Sequence, residues 1–164
     1  MEEEILKLLK TYHLTITTAE SCTGGLIAAK LINMPGMSSQ LEEGYITYSN
    51  AAKERLLHVS HDTLSRFGAV SSQTAEEMAR GARKRANADL SIVSTGIAGP
   101  DGGTDEKPVG LVYLGCCLFD TVKVERHLFT GGRQEVRQKS AEAALSLVKT
   151  TILDNEEMLL GRRL

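Results

Sequence analysis

No run of the sequence approaches the roughly 20 consecutive apolar residues that a membrane-spanning helix needs. The N-terminus, MEEEILKLLK, is acidic where a secretory signal would be basic, so neither membrane insertion nor export is expected. Cysteine is scarce and odd in number, with only Cys22, Cys116 and Cys117. The adjacent pair would point to opposite faces of a strand, which argues against a disulfide framework and fits a reducing, cytoplasmic setting. Positive charge is not in excess either: the formal net charge is -2, so no general pull toward nucleic acid exists. The one basic cluster, Arg80, Arg83, Lys84 and Arg85 in ARGARKRAN, has no aromatic residues between its cations to stack bases. It reads as the last turns of a helix, whose dipole the cations complement.

What remains has globular proportions, 41% hydrophobic and 24% charged over 164 residues, enough for one domain spanning residues 1–164 with a core of its own. Ile5, Leu8, Leu9 and Tyr12 recur at helical spacing behind three glutamates, predicting a helix over residues 2–12. LTITT reads as a strand, and LIAAKLINM as a helix that must stop near Met34 because Pro35 and Gly36 follow. GYITYS alternates, with Tyr45, Thr47 and Ser49 on one face and Ile46 and Tyr48 on the other. NAAKERLLHV, SHDTLSRFG (capped by Ser60, stopped by Gly68) and SSQTAEEMARGARKRA are helical. DLSIVST is a buried strand, and LVYLGCCLF with VKVERHLF an antiparallel pair turning near Asp120. A last helix runs from about Arg133 toward Asn155, and the tail EEMLLGRRL either frays or packs. Alternating strands and helices followed by two adjacent strands predict an α/β domain, a three-layer α/β/α sandwich with a mixed, mainly parallel sheet.

Three segments have the composition of a site. TTAESCTGG leads from a strand into a helix, where free amide groups and the helix dipole suit a phosphate or an oxyanion. Ser21 or Thr23 is there either to react and bind or simply to cap the helix; Cys22 is either a reactive thiol or a small buried apolar residue. In YITYSNAAK a second strand ends near Tyr48 and Ser49, Asn50 can cap, and Lys53 falls in the first helical turn, where the dipole disfavours a cation. Either Lys53 is solvated, or it faces an anion or is driven toward its neutral form. STGIAGPDGGTDEKPVG is long, glycine-rich and irregular, so its amides can approach a ligand closely. It lacks the spacing of a Walker loop or dinucleotide fingerprint, and Asp101, Asp105 and Glu106 lack EF-hand spacing. No histidine or cysteine cluster supports zinc, and no metal or cofactor is expected. Arg133 and Arg137, four apart behind a glycine pair, fit either a phosphate or carboxylate clamp or pairing with surface acids.

Taken in order, TAESCTGG, GYITYSNAAK, FGAVS, STGIAGPDGG with EKPVG, and TGGRQEVR resemble the CinA family, specifically its C-terminal nicotinamide-nucleotide amidase domain. The resemblance runs from about Leu14 to the last helix. It implies hydrolysis of the carboxamide of nicotinamide mononucleotide to nicotinic acid mononucleotide and ammonia, without a cofactor. It also implies self-association into a homo-oligomer. On the matching motif positions, Ser21 is the nucleophile and Lys53 its base, a serine-lysine arrangement. Tyr48 and Thr95 are candidates for positioning groups at strand ends, Tyr48 beside the catalytic pair. Cys22, Thr23, Gly24, Gly25, Thr95, Gly96, Gly99 and Arg133 are candidates for binding substrate and its phosphate. The alternative is a non-catalytic nucleotide-binding or competence-related regulatory module using the same pocket.

Overall fold

A computed structural model describes residues 1–162, so the last two residues of the expected tail lie outside the described residues. Five strands, β1 (Ile16–Glu20), β2 (Gly44–Ile46), β3 (Leu90–Gly96), β4 (Leu111–Leu118) and β5 (Thr121–Leu128), form one sheet in the order β2-β1-β3-β4-β5. β1 pairs in parallel with both β2 and β3, while β3 with β4 and β4 with β5 are antiparallel. Four strands therefore share a direction and β4 alone opposes them, which gives the mixed sheet the alternation predicts. The carboxyl ends of β1, β2 and β3 meet at one edge, where α/β sheets hold their ligands.

Helices α1 (Glu2–Thr11), α2 (Leu26–Ile32) and α6 (Arg133–Leu153) cover one face, with α3 (Asn50–Leu57), α4 (His61–Phe67) and α5 (Ser72–Ala86) on the other. A short α7 (Glu156–Gly161) follows α6 and buries Leu159. The larger core joins Ile5, Leu9, Ile16, Ile27, Leu31, Ile92, Leu114, Cys116 and Val148; the smaller joins Ala19, Leu57, Leu64, Met78, Val93 and Cys117. Cys116 and Cys117 thus fall in different layers, as strand alternation requires.

The helix boundaries follow capping chemistry. Ser60 and Ser71 accept bonds from the amides of Thr63 and Thr74, and Gly68 ends α4. α5 approaches α3 so closely that a Cβ on Gly81 would lie 1.8 Å from the Leu57 carbonyl oxygen. Two expectations shift. β2 is only three residues long, so Tyr48 stands in the loop beyond it, and Ser49, not Asn50, caps α3 by accepting from the Ala52 amide at 3.0 Å.

Candidate active site

The ladder of β1 continues one residue beyond the strand. The Ser21 amide donates to the Ser94 carbonyl at 3.0 Å, and on the other side the Thr47 amide donates to the Glu20 carbonyl at 2.9 Å. Because Glu20 lies opposite Ile46 in the parallel register, Ser21 and Thr47 emerge side by side. The chain then turns through Gly24 and Gly25, both at positive φ (56° and 105°), where a side chain would be strained. Neither Ser21 nor Thr23 caps α2. Glu20, 1% exposed, does so from the strand: its carboxylate accepts the Ile27 and Ala28 amides at 2.8 and 3.1 Å and the Thr23 hydroxyl at 2.6 Å. Negative charge at a helix N-terminus is favourable, and the arrangement leaves the Ser21 hydroxyl free of capping duty. Glu20 has no bond to Lys53 among the described residues.

Lys53 enters from the first turn of α3 and is 1% exposed. Its Nζ donates to Ser21 Oγ at 3.1 Å and to the Thr47 carbonyl at 2.9 Å. Among the described residues no carboxylate forms an ion pair with it. Burial without a compensating anion lowers its pKa from 10.5 to about 8, with the Cys22 thiol acting weakly in the opposite sense. When the ammonium loses its proton, the same short contact lets the amine lone pair accept the serine's hydrogen. Cys22 behaves oppositely. Burial raises its thiol to about 11, so its sulfur keeps its proton and is a poor nucleophile.

The pair opens into a cleft of about 330 Å³ at the carboxyl edge of the sheet. Of the residues singled out in the sequence, Ser21, Cys22, Tyr48, Lys53, Thr95, Gly96, Gly99 and Arg133 line it; Thr23, Gly24 and Gly25 do not. Thr23 is fully buried, its hydroxyl tied to Glu20 and to Ser94 Oγ at 2.7 Å, so that side chain is not presented to a phosphate in the cleft. Tyr48 is 64% exposed at the rim, where its hydroxyl accepts from Arg133 at 3.1 Å; it bonds neither Ser21 nor Lys53 among the described residues. The Thr95 hydroxyl donates to the Ala69 carbonyl at 2.7 Å and so holds a wall of the cleft. Asn50, Val70 and Asp101 also line it, beyond the residues that the motif resemblance implies for binding.

The glycine-rich loop between β3 and β4 is anchored rather than loose. Lys107 donates to the Phe67 carbonyl at the end of α4, and Arg133 donates to the Gly99 carbonyl at 2.7 Å. At Gly110, φ is +94° and a Cβ would meet the Phe129 carbonyl oxygen at 2.0 Å, so only glycine fits where the loop rejoins the sheet. Arg137, one turn beyond Arg133, donates to the Cys22 carbonyl from Nε at 3.1 Å and to the Thr23 carbonyl from Nη2 at 2.9 Å. Both guanidiniums hold backbone carbonyls, where the sequence suggested an anion clamp. Among the described residues no group of three or more His, Cys, Asp or Glu is placed to hold a metal ion.

A family model described as the CinA C-terminal domain matches residues 1–152. A Clostridium novyi (strain NT) protein named as competence-damage inducible is 52% identical over 93% of this chain and 37% of its own length. The CinA-like protein of Kosmotoga olearia is 50% identical with the same coverage. The chain therefore spans a little over a third of the curated relatives it matches. Among solved structures, the competence/damage inducible protein CihA of Agrobacterium tumefaciens is 42% identical with a TM-score of 0.86, covering 91% of this chain and 93% of that one. A CinA superfamily protein from Klebsiella pneumoniae reaches a TM-score of 0.90 at 31% identity, covering 93% and 96%.

Proposed function

The chain belongs to the CinA C-terminal domain family, and from that membership and the site we propose that it hydrolyses the carboxamide of nicotinamide mononucleotide. One observation carries the reading. A buried lysine with no carboxylate partner among the described residues donates to a serine hydroxyl at 3.1 Å at the head of an open cleft, an arrangement that a binding site has no need of.

In the proposed sequence Lys53 takes the Ser21 hydroxyl proton as Oγ attacks the amide carbon. The tetrahedral intermediate collapses, its C–N bond breaks, and Lys53 returns the proton to the departing nitrogen, giving ammonia and a nicotinoyl ester on Ser21. Water, deprotonated by Lys53, attacks the ester; nicotinic acid mononucleotide leaves and the serine regains its hydrogen. The pyridinium ring draws electrons from the carbonyl and favours attack. Near neutral pH a pKa of about 8 leaves about a tenth of the lysine neutral, enough to act as base without losing its strength as acid. The Cys22 amide, which donates to no other residue among the described residues, is the leading oxyanion donor, since it follows the nucleophile directly. The exposed Arg133 at the rim, together with Asn50, is assigned to the nucleotide end.

Ammonia release from nicotinamide mononucleotide tests the reading. Wild type is expected to turn over, with Ser21→Ala and Lys53→Ala each falling by at least about 1,000-fold while remaining folded. Undiminished release by Ser21→Ala contradicts the mechanism. Nucleotide binding without any ammonia release would support the alternative, a non-catalytic nucleotide-binding or competence-related regulatory module.

A further inference from the structure

Arg137 is half-buried, and its guanidinium is bonded to the two successive carbonyls of Cys22 and Thr23. In a planar trans peptide the carbonyl and the next amide hydrogen point in opposite directions. Fixing the Cys22 carbonyl therefore aims the Thr23 N–H away from Arg137, and fixing the Thr23 carbonyl does the same for the Gly24 N–H. The second consequence is visible: the Gly24 amide donates to the Ser21 carbonyl at 3.1 Å and closes the turn. Holding the Ser21 carbonyl aims the Cys22 N–H of the same peptide the other way, and that N–H donates to no other residue among the described residues. A turn containing two glycines at positive φ has little intrinsic stiffness, so its peptide planes need an external hold. A rigid fork with two donors supplies it where a lysine could reach only one carbonyl at a time.

We propose that Arg137 is a positioning residue: its guanidinium fixes the Thr23–Gly24 peptide, whose amide holds the Ser21 carbonyl, and through that carbonyl it sets the Ser21–Cys22 peptide so that the Cys22 N–H is already aimed when negative charge develops on the reacting oxygen. This rests on the acyl-transfer reading of Ser21 and Lys53, and it assigns Arg137 a role distinct from holding the substrate's phosphate. Arg133, one turn earlier on α6, donates to the Gly99 carbonyl and the Tyr48 hydroxyl, so the same helix also holds the glycine-rich loop.

The test uses Arg137→Ala and Arg137→Lys, with folding checked by thermal melts; should the alanine variant not fold, the lysine variant carries the comparison. Ammonia release is measured with nicotinamide mononucleotide and with nicotinamide riboside, which lacks the phosphate. Positioning predicts that kcat falls about 100-fold in Arg137→Ala and about 10-fold in Arg137→Lys, near the lower end of what losing an oxyanion donor costs. The factor should be the same on both substrates, with KM within about twofold of wild type, because both amides use the same turn. Free guanidinium ion should restore part of the alanine variant's rate and leave wild type unaffected. A rise in KM confined to the nucleotide would overturn the proposal and make Arg137 a phosphate ligand.

A second measurement separates this inference from the amidase reading. A fluorophosphonate labels an activated serine: the Ser21 Oγ–P bond forms, P–F breaks, fluoride leaves and Lys53 takes the serine's proton. The charged phosphoryl oxygen uses the same amide, so Arg137→Ala should be labelled at Ser21 about 10- to 100-fold more slowly than wild type, read by intact mass. If wild type is labelled but releases no ammonia, the amidase reading falls and the labelling rates alone decide for or against Arg137. Equal labelling rates in wild type and variant overturn the inference, and so does a wild type that is not labelled at all.

Discussion

Replacing Lys53 by methionine would expose how its burial weighs on the fold. The side chain is 1% exposed, and burial takes its pKa from 10.5 down to about 8. A pKa lowered on folding means that the native state holds the proton less tightly than the unfolded chain, so protonation favours unfolding. Below about pH 8 both states are protonated and the penalty is complete; between about 8 and 10.5 only the unfolded chain is, and the penalty fades as pH rises. At about 1.4 kcal/mol per pKa unit, the penalty near pH 7 is about 3 kcal/mol. Methionine removes it, but also removes the bonds to Ser21 and Thr47 and strands the buried Thr47 carbonyl, a loss of about 2 kcal/mol. The two nearly cancel at neutral pH, and what survives is the pH dependence. Wild type should gain about 2 to 3 kcal/mol on Lys53→Met between about pH 7 and pH 10, about 5 to 10 °C in relative melting temperature for a chain of this length. Melts of both proteins across that range measure it, since the other titrating groups are common to the pair. A constant difference would refute the desolvation of Lys53, and with it the expected rise in wild-type kcat/KM with an inflection near pH 8.

Three further changes probe the surroundings of the pair. Glu20→Gln exchanges a carboxylate with three hydrogen bonds for an amide that can accept on one oxygen only; a loss of about 2 to 4 kcal/mol in urea unfolding is expected, and an unchanged midpoint would remove Glu20 as the cap of α2. Cys22→Ala should keep ammonia release within about threefold of wild type, because a buried thiol with a pKa raised to about 11 takes no part as a nucleophile; an inactive variant would transfer the chemistry to the sulfur. Gly81→Ala forces α5 off the Leu57 carbonyl and should cost at least about 2 kcal/mol. It should also lower activity, since α3 carries Lys53; full activity at reduced stability would show that the pair tolerates movement of that helix.

The parts of this molecule written in neighbouring residues were legible in the sequence. Ser60 with Gly68, the stop at Pro35, the hairpin near Asp120 and the opposed faces of Cys116 and Cys117 all depend on contacts within a few positions. The contact between Ser21 and Lys53 spans 32 residues and exists because β1 and β2 lie side by side in parallel, a pairing that no local pattern states; only the resemblance of the motifs brought the two together. Glu20 stayed unassigned for a related reason, since it caps a helix seven residues on and from outside it, beyond the reach of capping-box spacing. The spacing of Arg133 and Arg137 points to anionic partners because sequence shows the cations and not the carbonyls, up to 115 residues away, that occupy them. β2 ends early because Ser49 turns the chain into α3 before the alternation of GYITYS runs out.

Glu20 and Ser21 are consecutive, yet one is fastened to a helix and the other to a strand. The floor of the cleft is thus braced from two directions before any ligand arrives, while Tyr48, Asp101 and Arg133 stand exposed at its mouth. Selectivity must then be uneven along a bound molecule. Atoms that reach the floor meet buried, fixed partners and tolerate no change, whereas those left at the mouth meet exposed side chains beside open solvent, and chemical variation will be accepted there first.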